Sequence, residues 1–371
     1  MKFLKYLESK NRVLLYSLLK LLLRTKQTDV PVKTDKIKKI LITRYDAIGD
    51  LIITIPAIRI IKKNFPDVQI DIIASNRNVM IAENEPSITN VYIYDGTLTS
   101  LRKLKKLKKQ HYDIILSFVF NNKTKAGFIS KISANRGTIL CTDMEIKRKD
   151  LYSAFFNSQI NLDDIRDKMT MLEILCRMSS RIFGFEFSAG DINKKLIIDG
   201  YNLQKVKDFS DSIDNQKYFV YNISSGNPYR TLSTEKNTEI IKSILNFGYK
   251  IVVISDKQDS SKAEDIINNI NSPVCCRYRT ESINDVIALI KSSSIVFTPD
   301  TSVVHIASAF DIPAFIVYSS LASFITEWLP YNSKYEVMMS ERNQPVEQIP
   351  TSEIISRLTG FVKSVDSTKL L

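Results

Sequence analysis

The chain has 371 residues, which is longer than one ordinary domain, so we expect two domains. Apolar residues make up 44% and charged residues 25%, a balance that is typical of globular proteins and excludes a fibrous or disordered chain. The formal net charge of +12 is distributed unevenly: residues 1–190 carry 33 basic and 19 acidic side chains, whereas residues 191–371 carry 19 and 21.

The cysteine and histidine content narrows the class of protein further. Four cysteines without Cys-x-x-Cys spacing are typical of a reduced, intracellular chain, and two histidines without a cysteine cluster give no zinc pattern. The longest apolar run near the start, residues 13–23, is interrupted by Lys20 and is about half as long as a membrane-spanning helix. Because the run also lacks a small-residue cleavage site, we predict neither a transmembrane anchor nor a secretory signal.

Residues 1–37 are predicted to form a basic amphipathic helical extension. Leucines at three- and four-residue spacing over residues 1–27 share one helical face, and lysines and arginines flank that face. Such a helix can lie in a membrane interface, where each cation near an anionic surface contributes about 1 kcal/mol. The alternative, a helix that packs on its own domain with solvated lysines, stays open at this stage.

From residue 38 onwards, predicted strands and helices alternate. In residues 38–190 we predict strands over residues 40–43, 69–74, 91–94 and 112–118, and helices over residues 51–64 and 101–110. In residues 191–345 we predict strands over residues 218–223, 250–255, 294–298 and 314–318, and helices over residues 235–247, 261–269, 283–292 and 303–310. Residues 346–371 are predicted as a C-terminal helix and tail. The alternation predicts an α/β fold of two Rossmann-like, doubly wound domains that face each other across a cleft.

The first predicted strand leads into a turn, residues 44–50, that precedes a helix. A dinucleotide fingerprint needs three glycines in this turn and the sequence has one, Gly49, which argues against a nicotinamide dehydrogenase. Asp50 falls at or near the start of the helix. Two interpretations are open: Asp50 caps the helix, or its carboxylate faces the cleft at the end of the strand.

A second informative stretch, residues 298–305, also joins a strand to a helix. Small hydroxyl residues open this helix, and the free N–H groups and dipole of a helix start favour an anion. His305 lies in the first turn, where it would reach that anion or an attached sugar, or else be a buried structural histidine. A third stretch, residues 224–230, places hydroxyls, Gly226 and Arg230 after a strand, as in a phosphate-binding loop, although ordinary surface turns look similar.

Together these stretches resemble a known family. Residues 40–75, ILITRYDAIGDLIITIPAIRIIKKNFPDVQIDIIAS, are similar to the start of the ADP-heptose:lipopolysaccharide heptosyltransferases, which form glycosyltransferase family 9. Residues 297–318, FTPDTSVVHIASAFDIPAFIVY, are similar to the nucleotide-sugar signature of that family, and residues 327–331, EWLPY, to a short aromatic-proline motif that follows it. The order and spacing agree over about residues 38–335.

The resemblance implies a GT-B fold in which residues 38–190 bind the acceptor and residues 191–345 bind the nucleotide sugar. It implies that Asp50 is the catalytic base. The residues that it implies for donor binding are Ser224, Ser225, Arg230, Asp300, Thr301, Ser302 and His305. The sequence departs from the family pattern at two of them: Ser302 stands where glycine is common, and Arg230 where lysine is often found.

The chemistry of sugar transfer requires a base for the acceptor hydroxyl and stabilisation of the departing diphosphate. Many transferases use a metal held by an Asp-x-Asp pair, and the sequence contains no such pair. The helix start at residues 300–302, Arg230 and His305 can instead supply preorganised electrostatic stabilisation. This agrees with the metal-independent, inverting chemistry without a cofactor that the resemblance implies.

The excess positive charge of residues 1–190 predicts an anionic acceptor such as the lipopolysaccharide inner core. The candidate acceptor contacts are basic residues at or near predicted loops. They are Arg44, Arg102, Lys103, Lys123, Arg136, Arg148 and Lys149.

The sequence therefore predicts a heptosyltransferase that acts at the cytoplasmic face of the inner membrane, bound peripherally through its N-terminal helix. One alternative keeps the fold and uses another nucleotide sugar for a surface glycan. Another is a non-catalytic protein that binds a polyanion. Nucleic acid is disfavoured as a partner, because leucine rather than aromatic residues alternates with the basic residues of 101–110.

Overall fold

A computed structural model describes residues 17, 18, 21, 23, 25–320 and 325–368. The chain divides into two compact units, residues 1–193 and 194–371. Within the described residues, each unit is built on one six-stranded sheet in which all neighbouring strands are parallel. The predicted α/β class, with two Rossmann-like sheets, is confirmed.

The central strands of the first unit form because short apolar runs bury both of their faces, as strands of parallel sheets do, whereas the edge strand over Asn90–Ile93 is partly exposed. Its strands are β1 (Lys39–Thr43), β2 (Gln69–Ala74), β3 (Asn90–Ile93), β4 (Ile114–Ser117), β5 (Ile139–Asp143) and β6 (Ser158–Ile160). They lie in the order β3-β2-β1-β4-β5-β6.

The helices of the first unit are mostly short connections between these strands. They are α1 (Ile48–Ile52), α2 (Ile55–Asn64), α3 (Val79–Glu83), α4 (Leu98–Lys105), α5 (Lys123–Ser133), α6 (Lys149–Tyr152) and α7 (Met171–Phe183). Short 3₁₀ turns cover Lys106–Gln110, Ile146–Arg148 and Ala189–Asp191. The basic stretch 101–110, predicted as one helix, is thus α4 followed by a 3₁₀ turn.

The helix predicted over residues 51–64 is in fact two helices, α1 and α2. Pro56 lies in the first turn of α2 and has no N–H to donate to a carbonyl of the preceding turn, which interrupts the helical ladder. The hydroxyl of Thr54 donates instead to the backbone oxygen of Asp50 at 2.7 Å. The break leaves α1 as a separate short helix at the end of β1.

The second unit repeats the arrangement of the first. Its strands are β7 (Tyr218–Asn222), β8 (Lys250–Ile254), β9 (Cys275–Arg277), β10 (Ile295–Pro299), β11 (Ala314–Tyr318) and β12 (Tyr335–Met339), in the order β12-β11-β10-β7-β8-β9. Its helices are α8 (Gly200–Ser212), α9 (Thr234–Ile244), α10 (Ser260–Ile270), α11 (Ile283–Lys291), α12 (Ser302–Ala309), α13 (Ile325–Trp328) and α14 (Thr351–Thr368). Short 3₁₀ turns cover Pro228–Arg230 and Val346–Gln348.

Each sheet therefore has one point at which the strand order reverses. In the first unit this switch point lies between β1 and β4, and in the second it lies between β7 and β10. Connections leave the two central strands toward opposite sides, so a crevice opens beyond their carboxyl ends, where α/β proteins bind ligands. The predicted catalytic turn follows β1, and the predicted donor-binding stretches follow β7 and β10.

A stack of aromatic rings forms the centre of the second unit. The rings of Tyr221 and Phe297 are parallel with centroids 4.2 Å apart, and Phe315 lies 5.8 Å beyond Phe297. Phe361 of α14 packs on Phe315 at 6.1 Å. The C-terminal helix is therefore part of the core beneath the strands that carry the donor-binding stretches.

Most of the predicted N-terminal helix lies outside the described residues. Residues 17, 18, 21 and 23 are helical; Leu18 and Leu21 are exposed, whereas Leu23 packs against the core of the first unit. Among the residues that the structure describes, no helix combines the length and the apolar character needed to cross a bilayer.

The packing of α5 depends on a glycine. A Cβ atom at Gly127 would lie 2.7 Å from both Cβ and Cγ of the buried Phe155, and these atoms are too close to the backbone to turn away. We therefore expect Gly127→Ala to lower the free energy of unfolding by about 1–3 kcal/mol in urea denaturation.

Gly360 provides the matched control for this substitution. It lies in α14, and no atom comes within 4 Å of the position that the methyl group of an alanine would take. Gly360→Ala should therefore stabilise the protein by up to about 1 kcal/mol through helix propensity. Equal effects of the two substitutions would contradict the close packing of Phe155 on α5.

Candidate functional site

A buried arginine organises the turn that follows β1. Arg44 is 1% exposed, and its Nε donates to the backbone oxygen of Asp50 at 2.9 Å. Its Nη2 lies 3.1 Å from Oδ1 of Asp50, and its Nη1 lies 3.1 Å from Oδ2 of Asp46 and also donates to the backbone oxygen of Phe118. One guanidinium thus ties together the ends of β1 and β4 and two carboxylates.

Asp50 occupies the third position of α1, with its side chain 9% exposed. Its Oδ2 accepts a hydrogen bond from the backbone N–H of Ala47 at 3.2 Å, so the helix-cap interpretation is confirmed. Each carboxylate oxygen has two lone pairs and is engaged once here, by Arg44 or by Ala47. The cap therefore holds the carboxylate in a fixed orientation and leaves it able to accept a further proton or hydrogen bond.

Asp46 was not among the residues that the sequence singled out. Burial raises the pKa of its carboxyl to about 6. The nearby Asp50 carboxylate raises this pKa further, whereas the Arg44 guanidinium lowers it. Its Oδ1 is buried and has no hydrogen-bond partner among the described residues. Asp46 is consequently a carboxyl group that changes its protonation state close to neutral pH.

A second set of charges lies beyond β4 and β5. Lys123 begins α5 and is buried, with its Nζ 2.9 Å from Oδ2 of Asp143 at the end of β5. Arg166 approaches the same carboxylate oxygen at 3.0 Å. The half-buried ring of Phe120 lies 5.3 Å from the guanidinium carbon of Arg166, 5.9 Å from that of Arg44 and 6.0 Å from Nζ of Lys123.

The first switch point thus brings together two of the predicted acceptor residues, Arg44 and Lys123. Arg148 and Lys149 follow β5, on the connection to β6, and therefore lie at the same edge of the sheet. Two others, Arg102 and Lys103, lie in the last turn of α4.

That turn leads away from the carboxyl edge, because a connecting helix returns the chain toward the start of the next strand. Arg136 lies in the loop between α5 and β5, at the amino edge of the sheet. The structure therefore does not place Arg102, Lys103 or Arg136 with Asp50.

The second switch point is organised by an asparagine that the sequence analysis missed. Nδ2 of Asn222, the last residue of β7, donates to the hydroxyl of Thr298 at 3.0 Å and to the backbone oxygen of Ser224 at 3.0 Å. It also reaches the hydroxyl of Thr301 at 3.4 Å. A polar residue that ends a buried apolar strand is the sequence signal that could have identified Asn222.

The cation of this second site is held by a carboxylate. Nη1 of Arg230 lies 3.1 Å from Oδ2 of Asp300 and donates to the backbone oxygen of the same residue at 3.2 Å. Burial raises the pKa of the Asp300 carboxyl, and the charge of Arg230 opposes that rise. The pair joins the loop after β7 to the loop after β10, which places a partly exposed guanidinium at the switch point.

The remaining predicted donor residues surround this pair. Thr301 caps α12, its hydroxyl accepting from the N–H of Val303 at 3.2 Å, and Ser302 is the first residue of that helix. Oγ of Ser224 accepts from the N–H of Asp256 at 3.0 Å, and Oγ of Ser225 donates to the backbone oxygen of Asn227 at 2.7 Å.

His305 is buried in α12, with its ring 6.3 Å from that of Trp328. The structure thus gathers residues from both predicted donor-binding stretches within the second unit. Across the described residues, no group of three or more histidine, cysteine, aspartate or glutamate side chains has an arrangement that could hold a metal ion.

The raised pKa of Asp46 should make the free energy of unfolding depend on pH. Because the carboxyl titrates near pH 6 in the folded protein and near its ordinary value of 3.8 when unfolded, its contribution to the free energy of unfolding falls as pH rises through that window. Asp46→Asn lacks this titration. Because the substitution also removes one carboxylate partner of Arg44, the test is the change with pH: the stability of the variant relative to the wild type should rise by about 1–3 kcal/mol between pH 4 and pH 8.

Urea denaturation at a series of pH values measures this difference. The exposed Asp67 supplies the control, since Asp67→Asn should follow the wild-type curve across the whole range. Parallel curves for Asp46→Asn and the wild type between pH 4 and pH 7 would contradict the shifted pKa of Asp46.

Comparisons with known proteins agree with the fold. A protein of Haemophilus influenzae named as a candidate glycosyltransferase is 23% identical over 352 residues, which cover 89% of this chain and 99% of that protein. A family 9 glycosyltransferase from Veillonella parvula has a similar structure, with a TM-score of 0.72 and 15% identity over 88% of this chain and 97% of that one. The ADP-heptose lipopolysaccharide heptosyltransferase II of E. coli is also similar, with a TM-score of 0.67 and 16% identity over 89% of this chain and all of that one.

These solved structures share the fold of both units. The sequence model of one family also matches the chain over most of its length. Residues 100–354 match glycosyltransferase family 9 (heptosyltransferase), a range that includes the whole second switch point and the Lys123–Asp143–Arg166 cluster. The chain is a glycosyltransferase and belongs to glycosyltransferase family 9.

Proposed function

We propose that this enzyme transfers a heptose from ADP-heptose to the inner core of lipopolysaccharide or lipooligosaccharide, with inversion and without a metal ion. The observation that carries the proposal is the Arg230–Asp300 pair beside the start of α12 at the switch point between β7 and β10. Support for the donor comes from E. coli heptosyltransferase WaaC, a protein of similar structure with a TM-score of 0.67 and 15% identity, which has been solved with ADP and with ADP-2-deoxy-2-fluoro heptose.

The second unit offers complementary groups for the two parts of a nucleotide sugar. A guanidinium pairs with phosphate oxygens in a bidentate manner, so Arg230 and the N–H groups at the start of α12 would stabilise the negative charge that develops on the departing diphosphate. Asp300 is an acceptor of hydrogen bonds and would repel phosphate. It would therefore bind a sugar hydroxyl while it keeps Arg230 in position.

Asp50 would act as the base for the acceptor hydroxyl. The hydroxyl oxygen forms a bond to the anomeric carbon, the bond from that carbon to the diphosphate oxygen breaks, and the hydroxyl proton passes to the Asp50 carboxylate. Arg44 is buried and four of its five N–H groups bond to the protein itself, so its part would be to orient this carboxylate rather than to contact the acceptor directly.

The acceptor would be bound by the cluster beyond β4 and β5. Lys123 and Arg166 share one oxygen of Asp143, and both lie beside the ring of Phe120. Arg166 is 25% exposed and would pair with an anionic sugar while Asp143 stays paired with the buried Lys123, and the half-buried ring would offer an apolar face to the sugar. The excess of basic residues in the first half of the chain would attract such an acceptor from a distance.

We place the reaction at the cytoplasmic face of the inner membrane, where a lipid-linked core acceptor and a soluble nucleotide sugar can meet. The basic N-terminal segment would hold the enzyme there peripherally. The nearest alternative is a donor that carries a hexose in place of heptose. The two are distinguished by incubating the enzyme with each donor and measuring which one releases its nucleotide.

The role of Asp50 can be tested with purified enzyme, ADP-heptose and truncated core lipid in the presence of EDTA. We expect the wild type to release ADP and Asp50→Asn, which preserves the size of the side chain, to slow release by about 10²–10⁴-fold. Asp67→Asn serves as the control with wild-type activity. An unchanged rate for Asp50→Asn would exclude Asp50 as the base, and loss of wild-type activity with EDTA would exclude the metal-independent reaction.

The role of Arg230 can be tested by equilibrium binding of ADP. Loss of a charge-assisted contact to phosphate should weaken binding of ADP to Arg230→Ala by about 10–100-fold, since such hydrogen bonds contribute about 1.5–3 kcal/mol. Arg279→Ala is the matched control, because Arg279 lies in the same unit and pairs with Glu264 on the surface. Equal affinities of the two variants would contradict the assignment of Arg230 to the donor.

A further inference from the structure

An exposed isoleucine sits among basic residues on the turn that follows β5. Ile146 is 67% exposed, and Lys147, Arg148 and Lys149 come directly after it and are exposed as well. We call residues 146–149 the basic turn. A single exposed apolar side chain is common on protein surfaces, but this one lies beside three adjacent cations, which would attract an anionic surface.

Two side chains join the basic turn to the cluster of Lys123, Asp143 and Arg166, which we call the acceptor cluster. Glu145 lies between them, with Oε2 3.8 Å from Nζ of Lys123 and Oε1 3.5 Å from Nε of Arg148. Nη1 of Arg148 also lies 3.3 Å from the hydroxyl of Tyr152, whose ring packs 5.8 Å from Nζ of Lys123. The basic turn is therefore next to the place where we expect the acceptor to bind.

Residues 26–28 lie against the chain that follows the basic turn. The N–H of Thr28 donates to the backbone oxygen of Asn157 at 2.8 Å, and Nδ2 of Asn157 donates to the backbone oxygen of Lys26 at 2.7 Å. Nε2 of Gln27 reaches the backbone oxygen of Ser153 at 3.1 Å. Residues 26–28 are thus fixed to residues 153–157, which directly follow the basic turn and α6.

From these contacts we propose that the basic turn docks on an anionic phospholipid surface, with Ile146 inserted among the headgroups and Lys147 and Lys149 paired with lipid phosphates. Leu18 and Leu21 of the N-terminal segment are exposed as well, and the sequence around them is basic. This contact would hold the acceptor cluster at the depth of the headgroups. The inference rests on the proposed function only in assigning a lipid-linked acceptor.

Flotation of the full-length protein with phosphatidylcholine vesicles, with and without phosphatidylglycerol, tests the docking. We expect Ile146→Asp to bind phosphatidylglycerol vesicles about tenfold more weakly than the wild type, and Lys147→Gln about fivefold more weakly. Ile197→Asp is the control, since Ile197 is exposed in the other unit, and it should bind within about twofold of the wild type. Flotation of Ile146→Asp equal to that of the wild type, or equal losses for Ile146→Asp and Ile197→Asp, would overturn the proposal.

A second measurement separates this proposal from the proposed function. With a deacylated core oligosaccharide as acceptor and no vesicles, Ile146→Asp should release ADP from ADP-heptose at the wild-type rate, whereas with acceptor lipid in vesicles it should be slower. A slower rate on the deacylated acceptor as well would show that the substitution acts on the site and would overturn the role of the basic turn in docking. If neither protein transfers heptose, the proposed function fails, and the flotation result still decides whether the turn binds lipid.

Discussion

The reversal of strand order in each parallel sheet is the constraint on which the sites depend. Where the connections of two adjacent parallel strands leave in opposite directions, no helix covers the carboxyl ends of those strands. The polar groups of the chain that follows β1, β4, β7 and β10 must then form hydrogen bonds with one another or with a ligand. Arg44 and Asn222 perform this task within the two units, and both are buried polar residues at the ends of apolar strands.

Arg44 shows how the requirement of folding and the requirement of chemistry meet in one side chain. A buried guanidinium must be paired, because an uncompensated buried charge is strongly destabilising. Here the pairing partners are two carboxylates and two backbone oxygens from the ends of neighbouring strands. The same pairing fixes the orientation of Asp50, while Asp46, with one oxygen left unpartnered among the described residues, has a pKa raised to about 6.

Much of the fold was predictable because buried parallel strands are short apolar runs. Residues 69–74 and 314–318 were predicted with the bounds that the structure shows, and most other predicted elements differ by one to three residues at an end. The helix over residues 51–64 was predicted as continuous because its apolar spacing persists across Pro56, whereas the missing N–H of the proline divides it. Strands β5 and β6 were not predicted, since β5 contains Cys141, Thr142 and Asp143 and β6 is only three residues long.

The candidate site also has parts that the sequence predicts and parts that only the structure shows. Sequence alone predicted Asp50, Arg230, Asp300 and Thr301 as site residues, because each follows closely on a strongly apolar strand and local order places such positions at one edge of the sheet. It also established the excess of positive charge in the first half of the chain. Sequence could not identify the shared pairing of Lys123 and Arg166 with Asp143, since Arg166 and Asp143 are 23 residues apart and meet only when the chain folds. The tertiary structure likewise decided that Arg136 lies at the amino edge of its sheet and that Arg44 is buried, because both depend on the direction in which each connection crosses the sheet and on which neighbours it brings into contact.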